Sequence, residues 1–314
     1  MKPRKDLLDL QSLSREELEE FLESTSPFKD TFTTRSIKKV PHLAGRTALL
    51  LFYEPSTRTS TSFDVAAKRM GADVVTLPVS HSSVVKGESI LDTVETLEAM
   101  RTDYIVVRHQ RSGVPNFIAR NTQASVINAG DGFHAHPTQG LLDAFTLHEV
   151  WGGAFEGKRV LISGDVVHSR VARSTSTALR KLGATVGVLG PGSLVPKGMM
   201  ASQEIFGSWE EALAWHPDAV YLLRIQLERQ EEQFLPSLAE YHHVFGLTSE
   251  RLSVLRERGV WVMHPGPINR GVELVNEVTE YERCLIEKQV ENGVAARMAV
   301  LYFLRPGGEG RTGA

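Results

Sequence analysis

Short apolar runs alternate with amphipathic stretches along most of the chain. Residues 47–52 are a buried-strand pattern, and Phe63, Ala66, Ala67 and Met70 then recur at helical spacing until Gly71 stops the helix. Residues 73–77 read as the next strand. A helix follows with Ile90, Val94 and Leu97 on one side, then a strand at 104–107 running into Arg108-His109, a short helix after Pro115, and a strand at 125–128 leading into Gly130-Asp131-Gly132. His136-Pro137 opens a helical stretch carrying Leu141, Leu142, Phe145 and Leu147, which Gly152-Gly153 ends. A second alternation has strands at 159–162, 185–189, 219–223 and 260–263, with a helix over about 169–182. Ser14-Arg15-Glu16-Glu17 forms a capping box for a first amphipathic helix over 12–26, with Leu18, Phe21 and Leu22 on its apolar face. Residues 281–304 are helical in pattern, with Asn292-Gly293 as a candidate break.

Strands alternating with helices predict an α/β chain of two doubly wound parallel-sheet domains. We expect one domain from residues 1–137 plus 293–314 and a second from 138–292. The helix that starts at His136 joins them, and the C-terminal helix returns to the first. In such sheets ligands bind beyond the carboxyl ends of the strands. Ser56 to Thr59, Arg108, His136, Arg170, Arg224 and His264 all follow predicted strands, and that shared placement singles them out.

The 314 residues carry a formal net charge of -3, which disfavours a polyanion such as nucleic acid as partner. The single cysteine, Cys284, excludes an internal disulfide, fits a reducing cytoplasm, and lies in a stretch that reads as helix, where a packed thiol is expected. Met1-Lys2-Pro3-Arg4-Lys5 is followed by polar and acidic residues, so no secretory leader is expected, and no stretch has the length of a membrane span.

The candidate chemistry centres on Ser56-Thr57-Arg58-Thr59, between the first strand and its helix. A helix N-terminus offers unpaired N–H groups and a favourable dipole to an anion, and Arg58 adds a planar cationic fork. Helix capping would explain the hydroxyls but needs no cation. No G-x-x-x-x-G-K-[ST] occurs, so this is no nucleotide P-loop. His134-Ala135-His136 has the spacing of a metal pair, but no further ligand set stands out, so no metal is expected.

The ordered set Phe52-Tyr53-Glu54-Pro55-Ser56-Thr57-Arg58-Thr59, Lys86-Gly87-Glu88, Arg108-His109, His136-Pro137-Thr138-Gln139, Gly164-Asp165, Arg170, Arg224-Ile225-Gln226 and His264-Pro265-Gly266-Pro267 resembles the aspartate carbamoyltransferase family over nearly the whole chain. The resemblance implies transfer of the carbamoyl group of carbamoyl phosphate to the α-amine of L-aspartate in pyrimidine synthesis, without metal or organic cofactor. It implies that Ser56, Thr57, Arg58 and Thr59 hold the phosphate and that Arg108 reaches phosphate and carbamoyl oxygen. Thr59, Arg108 and His136 would surround the carbonyl oxygen, Gln139 would hold the carbamoyl nitrogen, and Gly266 and Pro267 would line the same substrate. Arg170, Arg224 and Gln226 would bind aspartate together with Lys86, and Ser82 and Lys86 would come from the adjacent subunit of a homotrimer. The active site is then expected in the cleft between the domains and at the subunit interface. The segment 226–243 is long and polar and has the character of a lid. A larger assembly with regulatory chains or with dihydroorotase is compatible with the resemblance.

The chain departs from the pattern at Gly266, where leucine is frequent, and at Ser60 and Thr61, where a basic residue is frequent. The first loosens a turn, and the second leaves the phosphate surroundings less positive. Ornithine carbamoyltransferase is a rival, but its His-Cys-Leu-Pro segment is missing at His264-Pro265. A catalytically silent homologue kept as an assembly partner is another, and it would be expected to have lost ligands that are present here. A nicotinamide dehydrogenase is disfavoured because no G-x-G-x-x-G follows a strand.

Overall fold

The computed structural model describes residues 4–34, 36–78, 89–195, 204–225 and 237–304. Ser82, Lys86, Gln226, most of the expected lid and the Gly-rich C-terminal tail lie outside the described residues. The chain divides into two compact units, residues 1–145 with 291–314, and residues 146–290.

In the first unit, strands β1 (Thr47–Phe52), β2 (Asp73–Pro78), β3 (Tyr104–His109) and β4 (Ser125–Asp131) form a parallel sheet in the order β2-β1-β3-β4. Helices α2 (Thr57–Arg69), α3 (Ile90–Ala99) and α4 (Val114–Arg120) are the crossovers that parallel neighbours require. Leu49, Leu51, Ile105, Val107 and Val126 bury against Val94, Leu97 and Ile118. Continuous apolar strands are what a sheet covered on both faces demands. The β4 edge is met by Leu7, which bonds to Val126 and Asn128 and so occupies exposed ladder groups.

Helix α1 (Arg15–Thr33) keeps the expected capping box but runs past Pro27 rather than ending before it. Proline costs a helix its own N–H and crowds the preceding turn. Buried Phe28 and Thr31 beyond it show that packing of the apolar face outweighs that cost.

In the second unit, β5 (Arg159–Ser163), β6 (Thr185–Leu189), β7 (Glu204–Phe206), β8 (Ala219–Leu222) and β9 (Trp261–Met263) form a parallel sheet in the order β7-β6-β5-β8-β9. The edge strand β7 has no apolar run and escapes pattern reading; its exposed and intermediate residues explain why. Helix α6 (Arg170–Lys181) follows β5, and α7 (Trp209–Ala214), α8 (Leu238–Phe245) and α9 (Ser249–Arg258) complete the crossovers. Leu161, Val220, Val262, Leu252, Leu255 and Trp209 are among its core residues.

Two helices carry the chain between the units, α5 (Pro137–Trp151) and α10 (Ile286–Phe303). Two expectations are corrected here. Helix α10 begins at Ile286 rather than at 281, so Cys284 sits in a β-bridge to Val262 and not in a helix; burial pushes its thiol pKa up, as a packed thiol requires. Asn292-Gly293 does not break the helix, because Gly293 makes room within it for the Arg297 side chain.

Candidate active site

Both sheets reverse their winding at one point, and the candidate residues follow the strands on either side of it. In the first unit the chain leaves β1 for β2 on one side and continues through β3 to β4 on the other. The crevice beyond β1 and β3 is therefore the topological switch point of that sheet. Ser56, Thr57, Arg58 and Thr59 follow β1, and Arg108 is the penultimate residue of β3, opposite Phe52 in register.

Ser56 is the N-cap residue of α2, but its side chain makes no capping hydrogen bond. The Ser62 hydroxyl turns back on the helix and donates to the Arg58 and Thr59 carbonyls at 2.6 and 3.0 Å. Thr59 is buried, whereas Thr57 and Arg58 are exposed on that turn.

Arg108 is held by two neighbours: Nη1 donates to the Ala129 carbonyl at 3.2 Å, and Nη2 pairs with Glu54 Oε1 at 3.1 Å. The guanidinium is thus fixed in direction before any substrate arrives, which is the condition for electrostatic preorganisation. His109, one residue on, faces the Tyr53 ring at 4.7 Å and accepts the Arg111 N–H at its Nδ1. Burial and the Arg111 charge hold its pKa below the ordinary imidazole value.

His136 lies between β4 and α5 in a turn organised by Asp131, which is fully buried. Asp131 accepts from Gly113 N–H at 2.7 Å, Asn128 Nδ2 at 2.8 Å, Ala135 N–H at 3.1 Å and His134 Nδ1 at 3.0 Å. His134 is therefore an anchor of that turn, and His136, only 4% exposed, is presented by it. Gln139 follows on the first turn of α5, buried, with its Nε2 donating to Asp143 Oδ1 at 3.0 Å.

The second unit repeats the arrangement. Its sheet reverses between β5 and β8. Arg170 is the first residue of α6 after β5, buried at 4% exposure, and Ser169 caps that helix by accepting the Ala172 N–H. Arg224 comes two positions after β8 and is half-buried. Gly164 allows the two strand ends to approach: at φ +128°, a Cβ there would stand 2.9 Å from the Leu223 carbonyl oxygen.

His264 follows β9 and braces its own turn. Its Nδ1 accepts the Gly266 N–H at 2.8 Å, so the neutral ring carries its proton on Nε2, which donates to buried Glu273 at 3.2 Å. Gly266 has φ +65°, a left-handed conformation that glycine adopts without penalty. The residue that departs from the family pattern is thus suited to the turn it occupies.

The structure brings Ser56 to Thr59 and Arg108 to one switch point, and Arg170 and Arg224 to the other. Pattern reading passed over Glu54, Asp131 and Asp143 as working residues, although each holds a candidate side chain in place. Glu54 meets Arg108, and Asp131 meets Gly113, only through the fold, whereas Asp143 and Gln139 are an i, i+4 pair on α5 whose spacing could have flagged them.

Two family models match the chain: the aspartate/ornithine carbamoyltransferase carbamoyl-P binding domain over residues 5–149, and the Asp/Orn binding domain of the same family over 156–304. The aspartate carbamoyltransferase catalytic subunit of Akkermansia muciniphila is 57% identical over 97% of this chain and 98% of its own length. That of Endomicrobium trichonymphae is 51% identical over 96% of each. Among solved structures, aspartate transcarbamoylase from Trypanosoma cruzi in complex with carbamoyl phosphate and aspartate superimposes with a TM-score of 0.87, at 26% identity, over 96% of this chain and 97% of that one. The same enzyme in complex with N-(phosphonacetyl)-L-aspartic acid gives a TM-score of 0.85 at 28% identity, over 96% of both chains.

Proposed function

The chain belongs to the aspartate/ornithine carbamoyltransferase family, and we propose that it transfers the carbamoyl group of carbamoyl phosphate to the α-amine of L-aspartate, giving N-carbamoyl-L-aspartate and phosphate. The observation that carries this reading is the pair of switch points, one supplied with Arg58 and Arg108 and the other with Arg170 and Arg224, in a chain that matches aspartate-specific relatives end to end.

The chemistry follows from those groups. The aspartate amine attacks the carbamoyl carbon, a C–N bond forms, and the C–O bond to phosphate breaks. Negative charge grows on the carbonyl oxygen and then on the leaving phosphate, so fixed donors are needed rather than a protein nucleophile. Ser56, Thr57, Arg58 and Thr59 receive the phosphate. Arg108, Thr59 and His136 serve the carbonyl oxygen, Gln139 the carbamoyl nitrogen, and Gly266 and Pro267 the same substrate. The departing phosphate takes the amine proton, which leaves His136 a polarising donor. Holding both substrates in register adds the entropic advantage of a unimolecular step.

Arg170 and Arg224 supply the two cationic anchors that a dicarboxylate needs, with Gln226 and Lys86 beside them. A carbamoyl phosphate-binding domain of residues 1–137 with 293–314 carries Ser56 to Thr59, Arg108 and His136, and an aspartate-binding domain of residues 138–292 carries Arg170, Arg224 and Gln226 together with Gln139, Gly266 and Pro267. Ser82 and Lys86 are contributed by the neighbouring subunit of a homotrimer, and the enzyme works in the cytoplasm in pyrimidine biosynthesis. Among the described residues no helix is long and apolar enough to cross a membrane.

Purified protein given carbamoyl phosphate with L-aspartate or L-ornithine side by side tests the reading. Turnover with aspartate alone is expected. Turnover with ornithine, or none with either despite binding of N-(phosphonacetyl)-L-aspartate, would refute it in favour of the ornithine enzyme or a silent assembly partner. Replacing Arg224 with leucine should raise the KM for aspartate on the order of 10²-fold, since hydrogen bonds to charged groups are worth more than neutral ones. The KM for carbamoyl phosphate should stay the same.

A further inference from the structure

The backbone of His264-Pro265-Gly266-Pro267 has no N–H left to offer a ligand. Pro265 and Pro267 carry none. The His264 N–H donates to Gln289 Oε1 at 3.0 Å, and the Gly266 N–H donates to His264 Nδ1 at 2.8 Å. What these four residues can present from their main chain is carbonyl oxygen alone, which only accepts.

That state depends on one imidazole tautomer. The Gly266 N–H finds an acceptor only while Nδ1 is unprotonated, and the neutral ring then carries its proton on Nε2. Glu273, 1% exposed, holds the proton there: its Oε1 accepts from His264 Nε2 at 3.2 Å and from the Asn269 N–H at 2.6 Å. One buried oxygen therefore ties the turn at both of its ends. The other oxygen, Oε2, is buried without a hydrogen-bond partner among the described residues, so neither bond depends on it.

We infer that Glu273 is a positioning residue for recognition of the carbamoyl nitrogen: by fixing the His264 tautomer it keeps the Gly266 N–H turned into the protein and leaves the turn a purely accepting surface. The inference rests on the role proposed above for Gly266 and Pro267. The nitrogen of carbamoyl phosphate is a donor, so carbonyl oxygens suit it. With the proton on Nδ1 instead, the ring N–H and the Gly266 N–H would oppose each other, and the turn would have to release a donor toward the substrate.

Acetyl phosphate has a methyl group where carbamoyl phosphate has its NH2, and it gains nothing from the oxygens. The difference between those two acyl phosphates is the test. Steady-state KM for carbamoyl phosphate and the competitive inhibition constant of acetyl phosphate are measured for wild type, Glu273→Met, Glu273→Gln and His264→Phe, with thermal unfolding beside them. Glu273→Met removes the acceptor at similar side-chain length. It should raise the KM roughly tenfold or more, the order expected when a buried donor loses its partner, and leave the acetyl phosphate constant within about twofold. Glu273→Gln should stay close to wild type, because the Asn269 N–H pins the amide oxygen in the place of Oε1 and the NH2 takes the place of Oε2.

An unchanged KM in Glu273→Met, or a parallel rise in both constants from a loosened turn, would overturn the inference. So would a loss in Glu273→Gln equal to that in Glu273→Met, since the charge rather than the accepted proton would then be what counts. Should Glu273→Met not fold, His264→Phe decides: its ring cannot accept the Gly266 N–H, so the same asymmetry is expected, and an unchanged KM is a refutation. If wild type turns over carbamoyl phosphate yet binds acetyl phosphate equally well, the role of Gly266 and Pro267 fails and takes the inference with it, while the transfer reaction itself stands.

Discussion

Arg108 and Glu54 form an ion pair, Nη2 to Oε1 at 3.1 Å, with side chains 12% and 23% exposed. Their meeting follows from the sheet, because β1 and β3 are neighbours with Phe52 opposite Arg108. The pair fixes the direction of the guanidinium. Arg108→Lys keeps the charge and loses the planar fork that reaches Ala129 and Glu54 together. Turnover should fall by about 10² or more, the loss typical of one preorganised oxyanion donor. Steady-state kinetics with thermal unfolding would check that the fold survives.

Asp131 is the hub of the turn that presents His136. Replacing it with alanine orphans donors from Gly113, Asn128, Ala135 and His134 at once. A cost of roughly 3 kcal/mol is expected, since buried donors without partners lose their full desolvation energy. Urea unfolding measures it. Turnover in the folded fraction should also drop, because His136 follows directly on the displaced Ala135.

Gly164→Ala places a methyl 2.9 Å from the Leu223 carbonyl oxygen and 3.3 Å from the Tyr241 hydroxyl, at φ +128° where side chains are disfavoured. Backbone must move, and Leu223 precedes Arg224. The variant should be destabilised by about 1–3 kcal/mol. It should also show a raised KM for aspartate, with the KM for carbamoyl phosphate unchanged.

His109 makes stability depend on pH in a defined sense. Burial, with the Arg111 charge second, lowers its pKa below the ordinary 6.5, so the folded protein binds less proton there than the unfolded chain does. Stability from this group is present above the ordinary value and is lost as pH falls through it toward the folded value. Melting temperature should therefore decline on acidification below about 6.5, and His109→Gln should flatten that slope. An unchanged slope in the variant would refute the assignment.

Strand and helix identity was legible wherever burial was two-sided. The strands at 47–52 and 185–189 appear where the apolar runs placed them. The edge strand β7 was not legible, because an exposed edge carries no apolar signature. The pattern ends the first helix at residue 26 and marks Asn292-Gly293 as a candidate break, yet Pro27 and Asn292-Gly293 lie inside helices because packing overrides local preference.

By itself the sequence determined the class of fold, the family and the cluster of hydroxyl and guanidinium groups at the start of α2, since periodicity and ordered motifs are properties of neighbours along the chain. Only the tertiary structure decided which carboxylates hold those groups. Asp143 lies one turn from Gln139 on α5, where burial is the fold's contribution; Glu54 is brought to Arg108 by the pairing of β1 with β3, and Asp131 to the Gly113 N–H by the pairing of β3 with β4. Strand order makes such partners adjacent, and no spacing along the chain records it.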